Sequence, residues 1–346
     1  MWRDRSVLEA AANLRAGEER AVLATLVAVE GPSVRRPGAR LLILSDGRLA
    51  GFLSAGCVEH DLAARVDRVL SEDRPETVRY DAATAADPVL GLGLGCGGGM
   101  RVLLEPWPPR DGPDPFAVFE TVARRRRPAA MATAVAPERL AGARAVVTAD
   151  GAPEVAAPPE LAATLEELAR WGLEGSCGLL AAGSVEVFVE RTEPPVRLVL
   201  QGATPPALAL ERLAGLLGWE TVPVPMEGGD PGHLPAGVVP DRWTVAALLG
   251  HDTAAEARLG AMLLTADLPY VGVMGSRSRR RRLAAALREN GVPEPAVARL
   301  RMPIGLDLGA ESAPEIALAA AGEILAVLRG REGFAPSAAP GPGRDG

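Results

Sequence analysis

Val196-Arg197-Leu198-Val199-Leu200-Gln201-Gly202-Ala203-Thr204-Pro205-Pro206-Ala207 reads as an apolar strand, a short turn and the opening of a helix. Apolar residues at helical spacing run on to Leu217, Gly218 closes the helix, and Trp219–Val224 follows as a second strand. The alternation continues with a strand at Val245–Leu249, an alanine-rich helix at Ala254–Leu264 and a strand at Tyr270–Met274. Helices at Arg279–Asn290, ended by Gly291, and at Ala313–Leu328 complete the pattern. Strands alternating with helices predict a Rossmann-like, doubly wound domain with a parallel sheet.

The turn that opens this domain argues against the usual ligand of the fold. A dinucleotide fingerprint, G-x-G-x-x-G/A, belongs at Gly202–Ala207. Its first Gly and closing Ala are present, but Thr204 replaces the glycine that lets a pyrophosphate touch the backbone. Pro205 and Pro206 bring no N–H to face a phosphate. The second strand ends in Pro223-Val224-Pro225, with no acidic residue to hold ribose hydroxyls. NAD binding is therefore not expected here. Two later turns are candidates. Gly250-His251-Asp252 offers an imidazole, or equally a capping Asp beside an exposed His. Gly275-Ser276-Arg277 opens a helix and suits an anionic group, although most of Arg279 to Arg282 must face water.

Upstream, Glu193-Pro194-Pro195 is a stiff linker. The chain is therefore read as α/β throughout: an N-terminal mixed α/β domain over residues 1–193 and a C-terminal Rossmann-like domain over 196–330. Residues 331–346, rich in Pro, Gly and Ser, are expected to be a disordered tail. Within the first domain a helix is expected over residues 6–16, then strands at Ala21–Glu30, Leu41–Leu44 and Leu49–Leu53. Asp46-Gly47 supplies a hairpin turn between the last two. Further strands are expected at Thr77–Tyr80, Arg101–Leu104, Ala129–Ala136, Arg144–Thr148 and Ser184–Glu190, with helices at Phe116–Arg127 and Pro159–Trp171.

Two cysteines stand in unusual surroundings. In Leu53-Ser54-Ala55-Gly56-Cys57-Val58-Glu59-His60-Asp61 a strand enters a small-residue turn, and Val58, Leu62, Val66 and Val69 then recur at helical spacing. Cys57 falls near unpaired helix N–H groups, where a thiol can become a nucleophile or soft ligand, although Glu59 and Asp61 oppose that shift. Read alone, the stretch equally fits a small apolar residue filling a turn, the commoner role of a free cysteine. The second cysteine, Cys96, lies in Gly91-Leu92-Gly93-Leu94-Gly95-Cys96-Gly97-Gly98-Gly99. So many glycines let the backbone approach a ligand and turn its N–H groups into an anion site. A bent strand is the alternative, and the accessible thiol tilts the reading towards a site. Arg35, Arg36 and Arg40, in and after the loop Gly31–Gly38, can face an anion, although charge alone favours a solvated loop. Cys177 has neither a helix start nor a glycine nest and reads as structural.

Composition sets the outer bounds. At 346 residues the chain exceeds one ordinary core. All 37 basic residues are arginine, which removes Schiff-base chemistry and a P-loop lysine. A net charge of −7 argues against nucleic acid as a partner. The N-terminus has no secretory apolar segment, no run approaches the roughly 18 apolar residues of a membrane span, and three scattered cysteines form no disulfide framework. A cytoplasmic protein is the expectation.

Taken together, these motifs resemble those of the xanthine dehydrogenase accessory proteins, the XdhC/CoxI family. The matching pieces are Gly31-Pro32-Ser33, Pro37-Gly38-Ala39-Arg40, Asp46-Gly47-Arg48, Ser54-Ala55-Gly56-Cys57-Val58-Glu59 and Gly93-Leu94-Gly95-Cys96-Gly97-Gly98. Tyr270-Val271-Gly272-Val273-Met274-Gly275-Ser276-Arg277 and Pro303-Ile304-Gly305-Leu306-Asp307-Leu308-Gly309-Ala310-Glu311 match in the second half. The resemblance implies a maturation factor rather than a self-sufficient enzyme. Such a factor binds molybdenum cofactor, supports its sulfuration and passes it to a xanthine dehydrogenase-type client. It also implies a homodimer and a cysteine desulfurase partner. On that reading Cys57 and Cys96 contact molybdenum or its sulfur, and Gly56, Glu59, Gly95, Gly97, Gly98, Arg40, Ser276 and Arg277 contribute to cofactor binding. The chain departs from the family at Ala55, where a second glycine is usual, and at Gly202–Ala207. An NAD(P)-dependent oxidoreductase and a scaffold that has lost its ligand are the competing readings, and the chaperone is favoured.

Overall fold

Ala21 to Val27 is buried at every position, and this run forms most of β1 (Ala21–Glu30), the central strand of the first sheet. The computed structural model describes residues 5–17, 19–31, 33–54, 56–80, 99–175, 177–225, 230 and 232–331. The chain divides into two units, Met1–Pro194 and Pro195–Gly346.

In the first unit, α1 (Arg5–Ala16) precedes β1, which is followed by β2 (Arg40–Leu44) and β3 (Leu49–Gly51). The β2–β3 hairpin turns at Asp46-Gly47 as expected, with Gly47 at φ 84° and the Asp46 carboxylate accepting from Arg48 N at 3.0 Å. Strand β3 stops at Gly51 rather than Leu53. There the chain passes so close to β2 that a Cβ would stand 2.6 Å from the Arg40 carbonyl oxygen. The apolar periodicity after Cys57 gives two short helices, α2 (Cys57–Ala63) and α3 (Val66–Glu72), interrupted at Ala64–Arg65. Strands β4 (Glu76–Tyr80) and β5 (Gly99–Trp107) complete an antiparallel sheet ordered β3-β2-β1-β5-β4. Val22, Leu26, Leu41 and Ile43 meet Val58, Leu62, Val66 and Val69 of α2 and α3, while Leu23, Leu42 and Trp107 meet α1 on the other face.

A second antiparallel sheet follows α4 (Pro115–Arg125). It contains β6 (Ala129–Ala136), β7 (Arg144–Thr148) and β8 (Glu154–Ala156), then α5 (Pro159–Leu173), β9 (Gly178–Ala182) and β10 (Val185–Thr192), in the order β8-β7-β6-β10-β9. The sequence pattern passes over β8 and β9, whose burial is shallow and irregular. Helix α5 covers one face through Leu161, Leu165 and Ala169. The two sheets meet at Val27, Leu103, Val135 and Phe188.

The second unit is the doubly wound domain expected. Its parallel sheet runs β12-β11-β13-β14, with β11 at Arg197–Gln201, β12 at Glu220–Val224, β13 at Thr244–Leu248 and β14 at Tyr270–Val273. Alternate residues serve opposite faces. Leu198, Leu200, Val245 and Ala247 pack under α6 (Pro205–Leu216) and α10 (Ala313–Leu328). Val199, Ala246, Leu248 and Val271 pack under α7 (Thr253–Thr265), α8 (Arg277–Glu289) and the short α9 (Glu294–Ala298). Burial on both faces is why these strands read as continuous apolar runs. Among the described residues no helix is long and apolar enough to cross a membrane.

Candidate functional site

The turn from β3 into α2 is built around a carboxylate. Gly56 is the N-cap of α2, Cys57 its first residue and Glu59 its third, and Glu59 reaches back to the Gly56 N–H at 3.1 Å. That is the capping-box spacing, with glycine as cap. The same carboxylate accepts from Leu53 N at 2.7 Å, from Ser54 N at 2.6 Å and from the Ser54 hydroxyl. Glu59 is buried. Burial works against its charge, yet the hydrogen bonds from Ser54 and Leu53 outweigh it and hold the carboxyl below its ordinary range. Glu59 thus gathers the N–H groups of the turn that precedes α2, and it fixes the turn from Leu53 to Gly56. Gly56 itself sits at φ 125° with open space where a Cβ would stand. Cys57 opens the helix directly after this fixed, open point. Its side chain lies outside what is described, and Gly95, Cys96, Gly97 and Gly98 lie outside the described residues.

The loop Gly31–Gly38 joins the same neighbourhood. Its base is tied to β1 by Gly38 N donating to Leu26 O at 2.7 Å and Leu26 N to Ala39 O at 2.9 Å. Within it the Arg35 guanidinium lies over the Phe52 ring, 4.3 Å from the centroid. Two stretches of sequence that appear separate are therefore one surface.

Arg40 is placed differently from its neighbours Arg35 and Arg36. It is buried, with its guanidinium paired to Glu190 of β10 and donating also to Gly38 O at 3.2 Å. The Phe119 ring lies below it at 4.8 Å. A second buried pair, Glu105 of β5 with Arg144 of β7, stands close by; burial pushes the Glu105 carboxyl up while Arg144 and Arg40 oppose the shift. These pairs tie the first sheet to the second. Arg40 is thus engaged inside the unit, in contrast to a solvated loop arginine or one that faces a ligand. The partner Glu190 is 150 residues away, so no local signal could reveal it.

In the second unit the turn Gly202–Ala207 is closed. Thr204 is the N-cap of α6, with Pro205 at its first position, a standard place for proline. The Thr204 hydroxyl donates to Leu249 O at 3.1 Å, and Leu249 N donates to Gln201 O at 2.7 Å. Gly202, at φ 115°, approaches so near that a Cβ would lie 2.7 Å from the Leu249 carbonyl. These contacts lie at the ends of β11 and β13, where the strand order reverses and a nucleotide would rest in such a fold.

The other two turns hold less than the sequence allowed. Asp252 caps α7, accepting from Ala254 N at 2.9 Å and Ala255 N at 3.1 Å, beside an exposed His251. Ser276 caps α8, accepting from Arg279 N at 3.3 Å and lying 2.8 Å from the Ser278 hydroxyl, and Arg277 is exposed beside it. Arg279 turns inward to Glu256 at 2.6 Å and to Met274 O at 2.6 Å. Burial raises the Glu256 carboxyl to about 7 against the pull of Arg279. Cys177 is exposed just before β9, and desolvation of its sulfur raises the thiol pKa, the reverse of an activated nucleophile. Sequence reasoning missed the structural part of Glu59 and the Arg35–Phe52 stack. The first was readable from the Gly56–Glu59 spacing, whereas the second needed the fold.

The family model described as XdhC and CoxI family matches residues 14–81, and the model for the XdhC Rossmann domain matches residues 198–324. A Bacillus subtilis protein, named as a probable subunit of xanthine dehydrogenase, is 27% identical over 331 residues, covering 89% of this chain and 93% of that one. The Escherichia coli protein named "Molybdenum cofactor insertion chaperone PaoD" is 25% identical over 323 residues, covering 93% and 88%. A crystal structure of a Bacillus halodurans protein described as a xanthine dehydrogenase superposes with a TM-score of 0.73 over 97% of this chain and 98% of that one. At 23% identity it shares the fold.

Proposed function

Because the chain belongs to the XdhC and CoxI family, we propose that it is a molybdenum-cofactor chaperone serving a molybdoenzyme of the xanthine dehydrogenase type. The names of two relatives along nearly the whole chain, one a cofactor insertion chaperone, support a maturation role. The observation that carries the reading to a site is Cys57, the first residue of α2 after a turn that Glu59 holds rigid and Gly56 leaves open. A thiol is a soft donor and suits a molybdenum–sulfur centre. Cys57 and Cys96 contact the metal or its sulfur, and the glycines Gly95, Gly97 and Gly98 approach the cofactor's phosphate through their backbone. In the second unit, taken by itself, Arg277 at the exposed start of α8, with Ser276 as the cap beside it, is a separate candidate for an anionic group. The chaperone works in the cytoplasm as a homodimer, receives sulfur through a cysteine desulfurase and releases sulfurated cofactor to its client.

An NAD(P)-dependent oxidoreductase is disfavoured by Thr204, Pro205 and Pro206, which replace a glycine and remove two N–H donors in the turn that would face a pyrophosphate. The test is reconstitution of a cofactor-free xanthine dehydrogenase-type enzyme with free cofactor and either wild-type chaperone or the Cys57→Ala, Cys96→Ala double variant. Wild type is expected to raise client activity well above cofactor alone, and the folded double variant to give no such gain. Equal activation by both proteins would refute the assignment.

A further inference from the structure

Of the five phenylalanines in the chain, Phe116, Phe119 and Phe188 are buried, while Phe52 keeps 43% of its surface exposed. Exposing such a ring forgoes the free energy of burial, and here the exposure is held in place from both sides. On one side Leu53, with no exposed surface, is packed into the core, and its N–H and that of Ser54 are fixed by Glu59. On the other, the Arg35 guanidinium lies over the ring at 4.3 Å, and its backbone N–H is held by the Ser33 hydroxyl at 3.3 Å. Arg36 is exposed next to Arg35, and the loop and strand from Gly31 through Ser45 carry arginines but no acidic residue. The nearby Glu59 carboxylate is taken up by the N–H groups of Leu53 and Ser54. A rigid aromatic face with a guanidinium stacked behind it and positive charge around it is how proteins receive planar heterocycles that carry a negative group.

We propose that Phe52, backed by Arg35, is the stacking platform for the fused heterocycle of an anionic pterin, five residues before the thiol of Cys57. This rests on the chaperone reading for the identity of the physiological ligand. Arg35 orients the ring and adds charge behind it, and Arg36 attracts the anionic group. An apolar protein contact is the other use of an exposed phenylalanine, but it gains nothing from a guanidinium laid on the ring.

The experiment uses the full chain as wild type, Phe52→Ala, Phe52→Trp and Arg35→Met, with two probes. One is molybdenum cofactor released from a molybdoenzyme, and the other is pterin-6-carboxylate followed by its own fluorescence. Phe52→Ala is expected to weaken binding of both by about tenfold, and Phe52→Trp to restore it, as stacking affinities scale with the ring. Arg35→Met is expected to fall between, and the thermal unfolding of all variants to match wild type. If Phe52→Ala binds both probes as tightly as wild type, the platform is wrong while the chaperone reading stands. Binding of pterin-6-carboxylate that depends on Phe52, without binding of the cofactor, upholds the platform and refutes the chaperone reading. Binding of neither probe by wild type refutes both.

Discussion

The chain enters a helix from a strand through a glycine-containing turn at two places that look alike in sequence. At Leu53–Cys57 the N–H groups of Leu53, Ser54 and Gly56 donate to Glu59, a residue of the helix itself, and Gly56 faces open space. At Gly202–Ala207 two donors are removed by proline, and the turn is pinned to Leu249 of the neighbouring strand. The first holds its backbone through Glu59, and on the proposed reading ligand contact falls to the side chains of Cys57 and Phe52. The second has Thr204 as helix cap, with its hydroxyl on the Leu249 carbonyl. A Rossmann-like sheet does not by itself assign a nucleotide to this chain, because the fold hosts many functions and the site has to be argued from its own residues.

The largest expected effect concerns Arg40, which the sequence places beside the first turn and the structure places inside the unit. Arg40→Ala leaves Glu190 buried without its partner and should cost about 3–5 kcal/mol. Chemical denaturation measures this, and cofactor binding by the fraction that remains folded should be unchanged. A variant of wild-type stability that fails to bind cofactor would move Arg40 back to the ligand.

Next comes the clasp at Glu59. Glu59→Gln loses charge-assisted hydrogen bonds to backbone donors and should cost about 2 kcal/mol at neutral pH. The pH dependence has a definite sign. The folded carboxyl is held below its ordinary value, so its stabilisation is present above the unfolded pKa, roughly 4, and is lost as pH falls through the lower folded value. Wild type and Glu59→Gln should therefore converge in stability below about pH 4. Parallel stability curves down to acid pH would show that Glu59 is not the clasp.

Glu256 in the second unit has the opposite sign. Its folded pKa is raised to about 7, so its contribution is greatest below the unfolded pKa and declines as pH rises through that value. The second unit should lose a little stability between roughly pH 4 and 7 from this group, and Glu256→Gln should flatten the dependence. The smallest effect is an expected silence: NADH should not bind at micromolar concentrations. Low-micromolar affinity by calorimetry would mean that Thr204, Pro205 and Pro206 do not exclude a pyrophosphate from the first turn.

Legibility followed the range of the interactions. The four parallel strands and their helices were readable because each is a local apolar run with its own stop, such as Gly218 after α6 or Gly291 after α8. The hairpin at Asp46-Gly47 was readable for the same reason. Strands β8 and β9 were not, since their register is set by β7 and β10 rather than by an alternation of their own. The break at Ala64–Arg65 was hidden because the apolar spacing continues across it. At the candidate site, the turn before Cys57 was legible in its small residues and the spacing from Gly56 to Glu59. The burial of Arg40 and the stack of Arg35 on Phe52 were not, because each partner comes from a different stretch of chain.

The most direct test of the account is molybdenum-cofactor binding by the purified, freshly reduced chain, compared with Cys57→Ala and Cys96→Ala. The account predicts about one cofactor per wild-type chain and a marked loss when Cys57 is removed from the open turn. Undiminished binding by both variants, or none by wild type, would contradict it.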